Sequence, residues 1–303
     1  MMLRHFFLFL SARRGLRRWM ERSPLSKKFT GRFVAGETLE DALRVLEHLE
    51  RERIWATLDH LGENVTTIEE AAASRDSYLE ALARIEERKL PSTVSIKLTQ
   101  FGLDLSREVC VENVRRLSAR AKAIGSRVEI DMESSAYTDR TLEIAAGIAA
   151  EFGCARTVIQ AYLYRSAADI QRMNALGIPV RLCKGAYDEP PSVAFPEKRD
   201  VDRNYVTLMK TLLDHGAYPA IATHDEAIIG EALRYARERR IAPDHFEFQM
   251  LYGIRRDLQK RIVELGYRLR LYVPYGTAWY PYFMRRLAER PANVLFLLRN
   301  LFR

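Results

Sequence analysis

Charged and hydrogen-bonding side chains lie at the ends of short apolar runs through the middle of this sequence. The full set is Asp59, Lys97, Asp131, Glu133, Gln160, Tyr162, Arg181, Lys184, Thr223, His224, Asp225, Glu247, Gln249 and Tyr272. If the runs are parallel strands, their carboxyl ends meet at one edge, and polar residues there face a ligand rather than the core. For each residue the alternative is a salt bridge within the fold, and Lys97 and Asp131 could pair in that way. So many charged groups in apolar runs predict a catalytic or binding site.

The predicted site is rich in cations, which indicates an anionic ligand. Its basic residues are Lys97, Arg181, Lys184, Arg285 and Arg286. Carboxylate and phosphate groups are the usual partners of such a cluster. In the last predicted helix Arg285 and Glu289 are four residues apart and share a face, whereas Arg286 points about 100° away. The two arginines could clamp one carboxylate, although a solvated helix face is the simpler interpretation of this spacing alone.

Several well-known motifs are absent from the chain. It contains no GxGxxG dinucleotide loop, no GxxxxGK[ST] phosphate loop, no HExxH and no GxSxG elbow. The three cysteines, Cys110, Cys154 and Cys183, are far apart, and the six histidines show no metal-ligand spacing. We therefore expect no metal site. The odd number of dispersed cysteines indicates a reducing, cytoplasmic compartment.

A unit of strand, turn and helix repeats from residue 54 onward. The eight predicted strands are 54–58, 93–98, 127–132, 156–161, 179–183, 219–223, 245–250 and 268–273. Five glycines are placed to end helices with positive φ, namely Gly125, Gly153, Gly177, Gly216 and Gly266. Thr67 and Glu70 have capping-box spacing. Eight units in a row predict an α/β fold, a (β/α)8 TIM barrel over residues 54–303, although a doubly wound open sheet shares this local pattern.

Residues 1–53 lie outside this repeat and form a predicted N-terminal helical arm. Its first 30 residues are rich in arginine, and a second helix is expected from Glu37 to about Arg53. The arm could pack on the barrel or on another subunit, or its basic face could meet anionic lipid. The longest apolar runs, 6–10 and 294–298, are too short to span a membrane. We therefore expect at most a peripheral contact with the inner face of the cell membrane.

The net charge of +8 does not by itself select a partner. Nucleic acid is the least favoured one, because several of the cations fall at predicted strand ends instead of on an outer surface. The sequence leaves the oligomeric state open, with a homo-oligomer among the alternatives.

Eight short motifs, taken together, resemble the proline dehydrogenase family in its monofunctional bacterial form. They are Ser95-Ile-Lys97-Leu-Thr99, Ile130-Asp131-Met-Glu133, Val158-Ile-Gln160-Ala-Tyr162, Arg181-Leu-Cys-Lys184-Gly-Ala-Tyr187, Ala222-Thr223-His224-Asp225, Glu247-Phe-Gln249-Met-Leu-Tyr252-Gly253, Leu271-Tyr272-Val-Pro274-Tyr275-Gly276 and Tyr282-Phe-Met-Arg285-Arg286-Leu-Ala-Glu289. They occur in the family's order across about residues 54–295.

The resemblance implies a distorted barrel with noncovalent FAD at its carboxyl-terminal mouth and a last helix lying over that mouth. It also implies oxidation of L-proline to Δ1-pyrroline-5-carboxylate by hydride transfer to FAD. Electrons would then pass to a membrane quinone, which would give the basic arm a use at the lipid surface.

The resemblance further implies roles in the substrate site. Arg285 and Arg286 would bind the proline carboxylate, with Lys97 as a further positive group and Glu289 orienting the pair. Tyr272 would pack on the proline ring and favour proline over hydroxyproline.

Two residues are implied to be catalytic, and one is implied to be a gate. Asp131 would hold Lys97 and the arginines in place, and Arg181 would lie near the reactive edge of the flavin and stabilise negative charge there. Glu63, in the loop after the first strand, could pair with Arg285 and close the site.

The implied FAD-binding residues are Met132, Gln160, Arg181, Lys184, Gly185, Ala186, Thr223 and His224. The first three would surround the isoalloxazine, the next three would run along the cofactor, and the last two would contact its phosphate and ribose. A glycine lets the backbone approach closely, and cations suit a pyrophosphate. The sequence departs from the family at Asp225, where relatives often carry asparagine, and at Thr277-Ala278, where many have an acidic residue.

Two other functions remain open on the sequence alone. A Schiff-base aldolase could use Lys97 or Lys184, since both are predicted strand-end lysines in a cationic site. A scaffold that binds nucleic acid or membrane would instead carry its charge on the outer surface.

Overall fold

The computed structural model describes residues 31–62 and 65–279. Eight parallel strands follow one another around a closed barrel, and β8 pairs with β1 in the register Ala56 to Leu271. The strands are β1 Trp55–His60, β2 Ser92–Ile96, β3 Val128–Ile130, β4 Ala155–Gln160, β5 Val180–Cys183, β6 Ala220–Ala222, β7 Glu247–Leu251 and β8 Arg268–Tyr275. The (β/α)8 prediction is confirmed. The doubly wound alternative is wrong, because an open sheet has no bond between its first and last strands.

Helices alternate with these strands and cover the outside of the barrel. They are α1 Leu39–Arg51, α2 Ile68–Glu87, α3 Arg107–Ala123, α4 Thr138–Phe152, α5 Ser166–Ala175, α6 Lys198–His215, α7 Glu226–Glu238 and α8 Arg256–Glu264. The apolar core lies between the strands and this helical layer, with Leu58, Ile96 and Leu182 buried on the strand side. Within the described residues, no helix is both long and apolar enough to cross a membrane.

The predicted helix ends are mostly confirmed. Thr67 caps α2 by accepting a 3.2 Å hydrogen bond from the Glu70 amide, but the Glu70 carboxylate accepts from Thr66 rather than from Thr67. Of the five predicted glycine caps, Gly125, Gly153, Gly177 and Gly266 have positive φ. The prediction is wrong at Gly216, where φ is −81°. Glycine fits there for another reason, since a Cβ would lie 2.5 Å from the Leu212 carbonyl oxygen.

The helix predicted from Glu37 to about Arg53 is α1. It begins with a capping box between Thr38 and Asp41 and packs its buried Leu43 and Leu46 into the core beside β1 and β8. This part of the predicted arm therefore packs on the barrel. The arginine-rich first 30 residues lie outside the described residues, so their predicted contact with lipid or another subunit stays a prediction.

The inside of the barrel is ionic. Arg156 on β4 reaches Glu247 on β7 at 2.6 Å and Glu129 on β3 at 3.2 Å. Because β4 and β7 are not neighbours in the sheet, the first of these contacts crosses the barrel interior. Arg270 on β8 completes the group, with its Nε 2.9 Å from Glu247. The attraction between these opposite charges offsets the free-energy cost of burying each charge without a partner.

Candidate active site

Asp131 is the centre of the predicted site, just beyond the end of β3. Its Oδ1 accepts a 2.6 Å hydrogen bond from the Ser95 hydroxyl and forms an ion pair with Arg181. Its Oδ2 accepts a 2.8 Å hydrogen bond from the Tyr272 hydroxyl and lies 4.0 Å from the Lys97 ammonium. Four side chains, from the strands β2, β5 and β8 or their ends, thus converge on one carboxylate. The prediction that Lys97 and Asp131 pair is confirmed as a long contact.

The Asp131 carboxylate is ionised despite its burial. Burial by itself would raise its pKa, but the charges of Arg181 and Lys97, with the hydrogen bonds from Ser95 and Tyr272, hold the pKa below the ordinary aspartate value. Because both oxygens are already engaged, this carboxylate is arranged to position its neighbours. It is a poor general base.

Lys97 lies between two carboxylates at the end of β2. Its ammonium is 3.4 Å from Oδ1 of Asp59, which is fully buried on β1. Tyr78 of α2 lies against the same place, and its hydroxyl donates a 2.8 Å hydrogen bond to the Ser95 carbonyl. Asp59 and Asp131 thus both engage the ammonium of Lys97. A Schiff-base lysine must be free to attack a carbonyl, so this arrangement disfavours the aldolase alternative for Lys97.

Arg181 links the predicted site to the ionic interior of the barrel. Besides Asp131, its guanidinium contacts Glu129 at 3.1 Å and the Gln249 amide oxygen at 3.3 Å, and it lies 5.4 Å from the ring centroid of Tyr272. Burial would lower its pKa, but the Asp131 and Glu129 charges raise the pKa above the ordinary arginine value. Arg181 is therefore a fixed cation whose plane and position are set by its acidic partners.

The residues assigned to the cofactor lie at the carboxyl ends of β3 to β6. Met132 and Gln160 are buried, and Gln160 donates a 2.9 Å hydrogen bond to the Glu133 carbonyl. Gly185 has a φ of +118°, and a Cβ there would overlap the ring of Tyr162. Only glycine lets the chain pass Tyr162 this closely. Ala186 follows it in the same half-buried loop.

Lys184 is paired with two carboxylates. Its ammonium forms ion pairs with Asp202 of α6 and with Asp225, the latter at 2.8 Å. Because both acids engage its ammonium, Lys184 is poorly placed to attack a carbonyl, which argues against a Schiff-base lysine here also. Asp225 is in addition the N-cap of α7, since its side chain accepts from the Ala227 amide. The position of Lys184 thus depends in part on Asp225.

Thr223 and His224 connect the ends of β6 and β7. The Thr223 hydroxyl accepts a 3.1 Å hydrogen bond from the Asp225 amide, and Nε2 of His224 accepts a 2.8 Å hydrogen bond from the Leu251 amide. A ring nitrogen that accepts carries no proton, so this contact assigns the neutral His224 proton to Nδ1.

Four predicted residues lie outside the described residues, namely Glu63, Arg285, Arg286 and Glu289. Within the described part of the site each predicted cation has an acidic partner, so the local charge is close to balanced. The expectation of an anionic ligand therefore depends on Arg285 and Arg286.

Sequence reasoning missed five contributors, namely Tyr78, Ser95, Glu129, Arg156 and Arg270. A signal was present for two of them. Glu129 precedes Asp131 by two residues and Arg270 precedes Tyr272 by two, so each pair faces the same side of its strand. Tyr78 is on a helix, so the pattern of polar residues at strand ends gives no indication of it.

Comparison with known proteins identifies the family to which these features belong. Residues 42–299 match the family described as proline dehydrogenase. Proline dehydrogenase 1 of Bacillus subtilis subsp. natto is 45% identical over 300 residues, covering 99% of both chains. Proline dehydrogenase of Deinococcus radiodurans is 42% identical over 275 residues, covering 89% of both.

A solved structure shares the same fold over part of a longer protein. The crystal structure of proline utilization A from Bdellovibrio bacteriovorus, inactivated by N-propargylglycine, superposes with a TM-score of 0.81 at 28% identity. The match covers 86% of this chain but only 32% of that one. The present chain belongs to the proline dehydrogenase family.

Proposed function

We propose that this chain oxidises L-proline to Δ1-pyrroline-5-carboxylate with FAD as the hydride acceptor and a membrane quinone as the next electron acceptor. Its membership in an oxidoreductase family supports the first part of this proposal, as does 45% identity to a named proline dehydrogenase over 99% of both chains. The observation that carries it is the convergence of Lys97, Arg181 and Tyr272 on Asp131 at the carboxyl end of the barrel.

The residues at this end of the barrel fit a bound FAD. The glycine at position 185 lets this loop pack directly against the ring of Tyr162, where any side chain would collide. The Gln160 side chain is held by a hydrogen bond to the Glu133 carbonyl, so its orientation is fixed before a cofactor binds. Met132 and Arg181 would complete the isoalloxazine surroundings, Lys184 and Ala186 would follow the cofactor, and Thr223 and His224 would meet its phosphate and ribose. When bound, FAD supplies the two-electron acceptor that none of the protein side chains can provide.

The side chains of this protein orient the substrate and set the local charge. In the proposal Arg285 and Arg286 bind the proline carboxylate, Glu289 orients them, and Lys97 contributes a further positive charge. Tyr272 limits the space beside the proline ring. Asp131 acts as a positioning residue, because it fixes Lys97, Arg181 and Tyr272 relative to one another. Arg181 would stabilise negative charge that develops nearby, and Glu63 would close the site by pairing with Arg285.

Flavin spectroscopy tests the proposed reaction. The purified protein is expected to be yellow, and L-proline is expected to bleach its flavin absorbance in the absence of oxygen. Addition of a soluble quinone analogue to the bleached protein should then restore the colour faster than admission of oxygen does. A colourless protein that does not take up added FAD would exclude the cofactor, and a yellow protein that proline fails to bleach would exclude the substrate.

The substrate clamp is tested separately from the cofactor. Arg285→Ala and Arg286→Ala are each expected to raise the KM for proline by at least tenfold while flavin stays bound. Lys260→Gln, an exposed change on α8, serves as the control for loss of one positive charge. An unchanged KM in both arginine variants would remove the clamp from the proposal.

We propose that the arginine-rich first 30 residues make a peripheral contact with anionic lipid at the inner face of the cell membrane. Sedimentation with vesicles of phosphatidylglycerol and phosphatidylcholine tests this, and binding should fall with rising salt. A chain lacking residues 1–30 that sediments as well as the full chain would contradict the proposal.

A further inference from the structure

A large cavity opens at the amino-terminal end of the barrel, opposite the candidate active site. It has a volume of about 910 Å³. Trp55 at the start of β1, Ser92 at the start of β2 and Arg268 at the start of β8 all line it. Arg268 is four residues before Tyr272 on the same strand, a separation of about 13 Å. The cavity is thus distinct from the site around Asp131. This end of a (β/α)8 barrel ordinarily serves stability, so a cavity here calls for an explanation.

The lining of this cavity is strongly basic. It includes Lys89, Lys122, Arg127, Arg268 and Arg270. Of these, Arg270 is neutralised by Glu247 within the barrel. The other four form no ion pair with any residue that the structure describes. One acidic residue of the described chain lines the cavity, Glu86, and it is already paired with Arg120.

The unpaired cations of this lining contrast with the paired cations of the candidate active site. At the opposite end of the barrel Lys97, Arg181 and Lys184 all have carboxylate partners. Four like charges around one cavity repel one another unless a counter-charge enters. The cavity therefore has the charge of a site whose anion is supplied from outside the described chain.

Aromatic rings orient two of the guanidinium groups. Arg127 and Arg268 lie 5.5 Å and 5.6 Å from the ring centroid of Tyr218, and Arg268 also lies 5.1 Å from that of Trp55. Arg268 is further fixed by hydrogen bonds to the Tyr218 hydroxyl at 3.3 Å and to the Asp244 carbonyl at 2.9 Å. Contacts of this kind fix a cation without neutralising it. Burial and the nearby Arg156 charge lower the pKa of Arg127, so an anion placed beside it would relieve an unfavourable environment.

We propose that this cavity binds a small polyanion with two or more carboxylate or phosphate groups, held by Lys89, Lys122, Arg127 and Arg268. Four unpaired cations match a ligand of several negative charges better than a single carboxylate, and the cavity volume lies in the range of small-molecule sites. Guanidinium groups bind either oxyanion with paired hydrogen bonds. The proposal does not depend on the reaction at the other end of the barrel.

Isothermal titration calorimetry of the holoenzyme tests the site, with citrate and inorganic pyrophosphate as separate probes at low ionic strength. We expect one-site binding of at least one probe to the unmodified protein. Binding of citrate alone would identify a carboxylate ligand, and binding of pyrophosphate alone a phosphate ligand. Binding of both would show that the number of negative charges on the ligand, and not the type of oxyanion, determines binding. The same probe should raise the thermal midpoint of unfolding, because it binds only the folded state.

Matched variants locate the binding. Lys122→Gln with Arg127→Gln should raise the Kd at least tenfold. Arg116→Gln with Lys260→Gln removes the same charge from exposed positions outside the cavity and should change the Kd less than twofold. If the first double variant folds poorly, Lys89→Gln with Lys122→Gln, both exposed, replaces it. No binding of either probe to the unmodified protein, or equal Kd values in the cavity and control variants, would overturn the proposal.

Discussion

The Tyr272 hydroxyl donates a 2.8 Å hydrogen bond to Oδ2 of Asp131. The residue assigned to the proline ring is therefore also one that fixes the buried carboxylate. The ring of the same tyrosine lies 5.4 Å from the Arg181 guanidinium, which forms an ion pair with the other carboxylate oxygen. The ring and the hydroxyl of Tyr272 have different partners, so their contributions can be separated by substitution.

Removal of the Tyr272 ring should change the choice of substrate. Tyr272→Ser creates space beside the substrate ring, so we expect kcat/KM to fall more for proline than for hydroxyproline. The ratio of kcat/KM for proline to kcat/KM for hydroxyproline should fall at least tenfold. Tyr272→Phe keeps the ring and loses the hydrogen bond to Asp131, which contributes about 1.5 to 3 kcal/mol when the acceptor is charged. It should lower kcat/KM for both substrates and leave the ratio unchanged. Steady-state kinetics with both substrates measure this, and an unaltered ratio in Tyr272→Ser would show that the ring contact is misassigned.

Neutralising Asp131 should destabilise the fold as well as the site. Asp131→Asn leaves Arg181 and Lys97 with less counter-charge in a buried position, which typically costs about 3 kcal/mol. Urea denaturation of the holoenzyme measures the loss. The control is Asp139→Asn, because Asp139 is 70% exposed and pairs with a part-exposed arginine. Such a surface pair contributes about 0 to 1 kcal/mol. Equal losses of unfolding free energy in the two variants would mean that Asp131 stabilises the fold no more than a surface carboxylate does.

The positions of the strands could be predicted from the sequence because each apolar run is buried and bounded by turns. The run 268–273 corresponds to β8 and the run 156–161 to β4, within two residues at each end. Closure of the sheet followed from the number of units. The glycine pattern gave one wrong prediction, a positive φ at Gly216. This residue has an extended backbone, and glycine is needed there because the chain passes close to the Leu212 carbonyl.

The candidate site was only partly predictable. Lys97, Asp131, Arg181 and Tyr272 converge as expected, because strand ends of a barrel meet at one edge. Their pairing was not predictable in detail. The partner of Lys184, Asp202, comes from α6, and its approach depends on how that helix packs. The ionic interior around Arg156 was missed because charges within a strand were expected to be too costly. The cost is offset by carboxylates from strands that are distant in sequence.

Adding a methyl group at Gly185 should impair cofactor retention. Gly185→Ala would force an L-residue to a φ of +118° and push its Cβ into the Tyr162 ring. Such strain costs about 1 to 3 kcal/mol, so the loop should shift away from Tyr162 and disturb the proposed FAD site. We expect a lower flavin-to-protein ratio after purification. Gly147→Ala is the control, since this glycine of α4 has open space around it and alanine is the better helix former by about 0.5 to 1 kcal/mol. A full flavin complement in Gly185→Ala would contradict the assignment of this loop.

His60 should make the stability of the fold depend on pH near neutrality. Its ring stacks on Tyr275 at 4.9 Å, and burial lowers its pKa below the ordinary histidine value, although the Asp59 charge opposes this. As the pH falls through about 6.5, the unfolded chain takes up a proton at this position and the folded chain does not. The free energy of unfolding should therefore decrease as the pH falls from about 7.5 toward the lower folded pKa of His60. His60→Gln and His60→Phe both lack the titrating group, so each should show a smaller decrease over this range, whatever its absolute stability. Urea denaturation at a series of pH values measures the slope, and slopes as steep as that of the unmodified protein in both variants would assign the effect to other groups.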